Sequence, residues 1–222
     1  MRRSGESVMG CDVVIIGAGG HGRVIADTVI ACGDSVRGFL DDDVSKLGEN
    51  IYRGACVIGR SRDAASFADC RFIVAIGDAV QRSAVAGELE AAGLGFYTAV
   101  HPLASVSPSA KIGEGSAIMP FAAVNAGASV GRHCIVNTGA AVEHDCVLGD
   151  FSHVSTRAAL GGTVHIGEFT HVGIGACVRN NITVCASCLI GAGAVVVSDI
   201  TKPGVWAGVP AKFLEPGPRR AL

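Results

Sequence analysis

The chain has 222 residues, a net charge of −2, 17% charged and only 5% aromatic residues, enough for two small domains with a core each. So balanced a charge excludes a global attraction to nucleic acid or to an anionic membrane, and any anionic ligand must be held by local devices such as helix N-termini. No apolar stretch reaches the roughly 18 residues of a membrane span, "MRRSGESVMG" lacks the apolar core of a signal peptide, and nine cysteines read as reduced thiols, so a cytoplasmic protein is expected.

Residues 11 to about 100 alternate between β and α patterns: a strand over Asp12 to Ile16, a helix from Gly20 to Cys32, and a strand over Val36 to Leu40. A short strand near Cys56 to Ile58 comes next, then a strand over Phe72 to Ile76, a helix over Ala79 to Ala92 and a strand over Phe96 to Val100. Such alternation predicts a small Rossmann-like α/β domain with a parallel sheet. Gly17, Gly19 and Gly22 satisfy G-x-G-x-x-G, and Asp41 follows where a dinucleotide enzyme keeps its ribose-binding carboxylate. A domain this short holds one mononucleotide half and little more, which favours a mononucleotide or sugar nucleotide over NAD. His21 in the loop and the Asp41-Asp42-Asp43 run read as a solvated helix start and a solvated loop unless a ligand engages them.

From Val106 to Val196 every sixth residue is Ile, Leu or Val, sixteen positions without an exception, and the residue four places on is mostly small. This period suits neither a helix nor one long strand. It suits short strands joined by corners, three sides to a coil of about 18 residues, with coils stacked as parallel sheets. Residues 101–222 are therefore an all-β helix behind a front domain of residues 1–100. Cys134, Cys146 and Cys188 turn inward as small fillers, and the lone C-x-x-C of Cys185 and Cys188 supplies too few ligands for a zinc site, so no metal is expected.

The hexad Val142-Glu143-His144-Asp145-Cys146-Val147 leaves His144 and Asp145 outward at a corner. One coil before and after His144 stand Ala126 and Gly162, clearing the space beside the imidazole. Asp145 can set its tautomer, an imidazole can accept the proton that an attacking amine sheds, and the Gly162 N–H is a candidate donor to an oxyanion. Thr156, Ile174 and Ala192 stack at intervals of 18 as a groove floor suited to an extended pantetheine arm.

The repeat ending in "GVWAGVPAKFLEP" resembles the left-handed β-helix of hexapeptide-repeat acyltransferases. Together, "GAGGHGR", "GFLDDD", "HPLASVSPSAKIGEG" and "VEHDCVLGDFSHVS" resemble sugar acetyltransferases of the sialic-acid O-acetyltransferase and bacillosamine-pathway N-acetyltransferase kind, including GDP-perosamine N-acetyltransferases. The resemblance implies a homotrimer with active sites between subunits and acetyl-CoA as co-substrate near His153, Gly162, Ile174 and Ala192. It implies Lys212 as a candidate partner for a CoA phosphate, and Asn137 for substrate across a subunit boundary. It also implies His144 as general base, and Gly19, Gly20, His21, Asp41 and Asp42 as contacts to a nucleotide-linked amino sugar. The expected activity is N-acetylation of the 4-amino group of a nucleotide-linked 4-amino-4,6-dideoxyhexose, UDP- or GDP-linked, for bacterial surface glycans. Sugar O-acetylation is the close alternative; an NAD-dependent enzyme and a non-catalytic scaffold are the remoter ones.

Overall fold

A computed structural model describes residues 10–214. The "MRRSGESVM" segment and the Glu-Pro end of the C-terminal motif lie outside the described residues. The front domain carries β1 (Asp12–Ile16), α1 (Gly20–Ala31), β2 (Ser35–Leu40), β3 (Asn50–Tyr52), β4 (Ala55–Gly59), β5 (Arg71–Val74) and α2 (Ala79–Ala91). Its sheet runs β3-β4-β2-β1-β5, parallel except for the β3–β4 hairpin. Val13 to Ile16 of β1 are all buried because a central parallel strand is covered on both faces. The hairpin strand β3 has no counterpart in the alternation read from the sequence.

The expected front-domain strand over Phe96 to Val100 is divided in the structure. Phe96 makes only an isolated bridge to Phe72, whereas Ala99–Val100 pairs in parallel with Ala117–Ile118. The solenoid thus begins at Ala99, because the backbone there is already in register with the first full coil. Likewise β5 ends at Val74, short of Ile76.

Beyond Ala99 the chain winds as a left-handed parallel β-helix whose coils pair at 18-residue intervals, as Ala141 with Ala123 and Ala159. The aliphatic sixths line the interior, and from Ile118 to Val196 every one is buried; Val106 and Ile112, in the first coil, are half-buried. Inward Ser116, Cys146 and Thr170 donate to corner carbonyls of the next coil, those of Gly131, Gly161 and Cys185, which satisfies polar atoms in an apolar core. Glycine often follows the aliphatic because the next coil passes too close: a Cβ on Gly149 would sit 2.6 Å from the Glu168 amide nitrogen.

Three faces result, with outward columns containing Ala141, Val147 and His153 in turn along one coil. Edges separate them, and each corner passes through the left-handed region once every six residues, as at His133, Asp145, Phe151 and Thr163. The front domain docks on the start of the His153 face. Ala99, Ala117 and Met119 share a core with Val13, Ile15, Ile25 and Phe39, so the two domains close over one continuous apolar seam.

Candidate active site

The glycine loop leaves β1 at Gly17 (φ 105°) and enters α1 with Gly19 as N-cap. A side chain on Gly22 would overlap the Gly17 carbonyl, so that glycine permits the helix to sit on the strand. Gly19 and Gly20 are exposed with open space where side chains would be, leaving the first-turn N–H groups free to meet an anion. Asp41 is turned back into this loop: its carboxylate accepts from the Ala18 and Asp43 amides at 2.8 and 2.9 Å and pairs with Lys46 at 3.0 Å. Partial burial raises its pKa, but those hydrogen bonds outweigh it and hold the carboxyl below its ordinary value. Asp41 therefore shapes the loop, while exposed Asp42 accepts only from the Ser61 amide and keeps lone pairs for a ligand.

His144 stands on the edge between the Ala141 and Val147 faces, its side chain 59% exposed. Nδ1 lies 3.0 Å from Asp145 Oδ2. A carboxylate can only accept, so in the neutral ring the proton sits on Nδ1 and Nε2 keeps its lone pair for a substrate proton. The left-handed backbone of Asp145 (φ 59°) brings adjacent side chains into this contact. The space cleared by Gly162 is taken by the imidazole itself, since a Cβ there would lie 2.6 Å from His144 Cε1. Gly162→Ala is accordingly expected to push the ring off its place and cut kcat about 10²-fold with the fold kept; unchanged steady-state kinetics would contradict this. Among the described residues no carbonyl accepts from the Gly162 N–H, as a donor reserved for an oxyanion requires.

The His153 ring, expected to lie near acetyl-CoA, is largely buried beside His171 and close to Arg82 and His21 of the front domain. Asn137 Nδ2 lies 3.2 Å from His153 Nε2, while the amide oxygen of Asn137 accepts from the Thr138 N–H at 2.8 Å. Nδ2 is therefore the donor and Nε2 the acceptor, which places the His153 proton on Nδ1, a buried atom with no partner. His21, from the glycine loop, likewise buries an unpartnered Nε2. Burial, then Arg82, holds the His21 pKa at about 4; burial, then His171, Arg82 and His21, holds that of His153 at about 2. Both lie below the ordinary 6.5, so stability from these neutral rings is complete above pH 6.5 and erodes as the pH falls toward 4, where the unfolded chain takes up protons that the fold refuses. Melting temperature is expected to drop across that window, and less so in His21→Asn.

Ile174 and Ala192 are exposed and, with half-buried Thr156, follow the edge between the His153 and Ala141 faces. Lys212 projects from a closing hairpin in which Gly204–Ala207 pairs with Lys212–Leu214. In a three-sided prism the His144 edge lies opposite the His153 face. One chain therefore brings the glycine loop, Asn137 and His153 together, but not His144 with His153, Ile174 or Ala192.

Known proteins share this fold. The PglD N-terminal domain family matches residues 12–89. The acetyltransferase domain of PglB from Neisseria gonorrhoeae FA1090 is 39% identical, the match covering 91% of this chain and 99% of that one with a TM-score of 0.84. PerB from Caulobacter crescentus, in complex with CoA and GDP-perosamine, is 38% identical over 94% of this chain and 99% of that one, with a TM-score of 0.86. The chain belongs to this family of sugar N-acetyltransferases. WeeI from Acinetobacter baumannii AYE, 23% identical over 92% of this chain and all of that one with a TM-score of 0.81, shares the fold. No curated protein sequence matches.

Three residues of this acetyltransferase escaped sequence reading. Arg82 of α2 is 1% exposed and ties the domains together, donating to the carbonyls of Ile76, Gly77, His133 and Phe151; nothing in "AVQRSAVAGELEA" sets it apart from a surface arginine. His171 stacks on His153 with centroids 4.4 Å apart, and Ser155 Oγ lies 2.6 Å from His171 Nε2. For these two a signal existed, since each lies 18 residues after a candidate site residue.

Proposed function

We propose that this acetyltransferase transfers the acetyl group of acetyl-CoA to the 4-amino group of a nucleotide-linked 4-amino-4,6-dideoxyhexose, GDP- or UDP-linked, in the cytoplasm, for bacterial surface glycan synthesis. The observation that carries the reading is the His144–Asp145 pair beside Gly162 in a chain that aligns over nearly its whole length with a protein holding CoA and GDP-perosamine. The exposed start of α1 at Gly19 and Gly20 meets the diphosphate, with His21 and Asp42 beside it and Asp41 shaping the loop.

The neutral amine attacks the thioester carbonyl, forming the C–N bond. His144 Nε2 accepts the proton, the Gly162 N–H donates to the oxyanion, and the C–S bond breaks with the proton passing to the departing thiolate. No acyl-enzyme is involved: Cys146, the cysteine of the His144 hexad, is buried with its thiol on the Gly161 carbonyl, and burial raises its pKa. Acetyl-CoA lies near His153, Gly162, Ile174 and Ala192, with Lys212 near its phosphates. His153 and Asn137 lie on the face opposite His144, so a complete site takes the His144 edge of one copy and the His153 face of another. This supports a homotrimer with sites between subunits. No helix among the described residues is long and apolar enough to cross a membrane.

Incubation with acetyl-CoA and either GDP- or UDP-linked 4-amino sugars, read by mass, is expected to show one acetyl added at nitrogen. Acetylation of a sugar hydroxyl alone would overturn the assignment. His144→Ala and His153→Ala subunits, each inactive alone, are expected to regain activity when reassembled together; no recovery in verified mixed oligomers would argue against sites shared between copies.

A further inference from the structure

The His153 face twice pairs a polar side chain with a histidine sixteen residues on. Asn137 holds His153 through Nε2, and one coil later Ser155 holds His171 through Nε2, at 3.2 and 2.6 Å. The backbones are in register, His153 against His171, so their rings stack at 4.4 Å with planes 16° apart. Ser155 is 4% exposed, and its hydroxyl spends its hydrogen bond on the ring of His171 instead of on a backbone group. The lower pair thus makes a rigid shelf beneath the upper one, whose Nδ1–H is buried and unpartnered.

We propose that Ser155 and His171 are positioning residues for acetyl transfer: the clamped His171 ring fixes the plane of His153, so that Asn137 keeps its proton on Nδ1 and that N–H stays aimed at an oxygen of the bound acyl donor. The proposal rests on the functional reading above for the identity of the ligand, but the placement of the proton stands on geometry alone. Stacking allows His153 one ring plane; without the shelf the imidazole can rotate about its Cβ–Cγ bond, break from Asn137 and present either nitrogen. A fixed tautomer matters because only a donor stabilises an acyl oxygen, and partners that orient a histidine in the analogous case of a metal ligand are worth about 10- to 100-fold. Burial first disfavours a proton on both rings; of the charged or titratable groups facing the pair, Arg82 from α2 adds to this at both, and His21 from α1 at His153.

The test uses full-length protein with ¹⁵N-histidine, in wild type, Ser155→Ala, His171→Gln and His171→Ala. Long-range ¹⁵N–¹H spectra are expected to show His153 protonated at Nδ1 in wild type and in exchange between tautomers in the variants. In parallel, the KM for acetyl-CoA is expected to rise, or kcat to fall, by about tenfold or more, with the KM for the nucleotide sugar unchanged. His153 still held as Nδ1–H in the folded variants, with donor kinetics unaltered, would overturn the proposal, as would a rise in KM shared equally by both substrates. If wild type fails to acetylate any amino sugar, the functional reading falls and the spectra alone decide this one. Should His171→Ala not fold, Ser155→Ala, which removes a single buried hydroxyl, carries the measurement.

Discussion

His144→Ala is expected to lower kcat by about 10²- to 10⁴-fold, the range that a positioned general base supplies, while the melting temperature stays where it is. The second half of that expectation follows from exposure: a side chain 59% open to solvent, bonded only to an equally exposed carboxylate, adds little to stability. The first half follows from the arrangement of its two nitrogens. Asp145 accepts a hydrogen bond from Nδ1–H, which leaves Nε2 unprotonated and facing Gly162. Asp145→Asn offers a finer probe, since an amide oxygen can still accept from Nδ1 but brings no charge to stabilise the imidazolium; its loss is expected to be smaller than that of His144→Ala. Retention of more than about a tenth of kcat in folded His144→Ala would remove this residue from the role of base.

Arg82→Met is expected to destabilise the protein by on the order of 3–5 kcal/mol and to weaken the union of its domains. Among the described residues Arg82 has no carboxylate within salt-bridge distance; its guanidinium is solvated by four carbonyl dipoles, two from the segment after β5 and two from corners of the β-helix. Burial, above all, depresses its pKa to about 10, so it remains charged. Methionine keeps much of the volume yet leaves the buried carbonyls of His133 and Phe151 without a donor, and each such loss costs about 1–3 kcal/mol. His133 is stacked between Phe96, edge-on at 4.5 Å, and Phe151, face-on at 5.1 Å, so movement of its corner carries the front domain with it. Denaturant unfolding should show the midpoint falling. The KM for the nucleotide sugar should rise, because the glycine loop packs against Ala75, next to the carbonyls that Arg82 holds. A midpoint equal to wild type would show that the domains are joined by their apolar seam alone.

The β-helix was legible because its physics is local. Each hexad repeats one aliphatic and one small inward residue, and a period of six admits no other simple packing, so Val106 to Val196 declare the coil before any contact is known. Five of the fourteen left-handed corners could also have been found, since Gly115, Gly127, Gly139, Gly175 and Gly193 fall in the same phase as Asp145. The other nine carry Phe, His, Asp, Arg, Thr, Asn or Ser, of which only Asp, Asn and His favour this region by themselves; the rings of His133, Phe151 and Phe169 stack on one another from coil to coil. The strand expected over Phe96 to Val100 failed because its residues suit either domain, and only the pairing of Ala99 with Ala117 decides between them.

By itself the sequence determined the prism, the glycine loop and the corner histidine, because period, loop chemistry and the adjacent carboxylate all act within one coil or one turn. Tertiary structure alone decided that Asp41 folds back on Ala18, that His153 is buried close to the front domain and that Arg82 bolts the domains together. It also set His144 and His153 on opposite sides of one chain. These outcomes depend on which surfaces meet after the coils have stacked. Burial and hydrogen-bond partners are properties of that meeting, and no linear pattern encodes them.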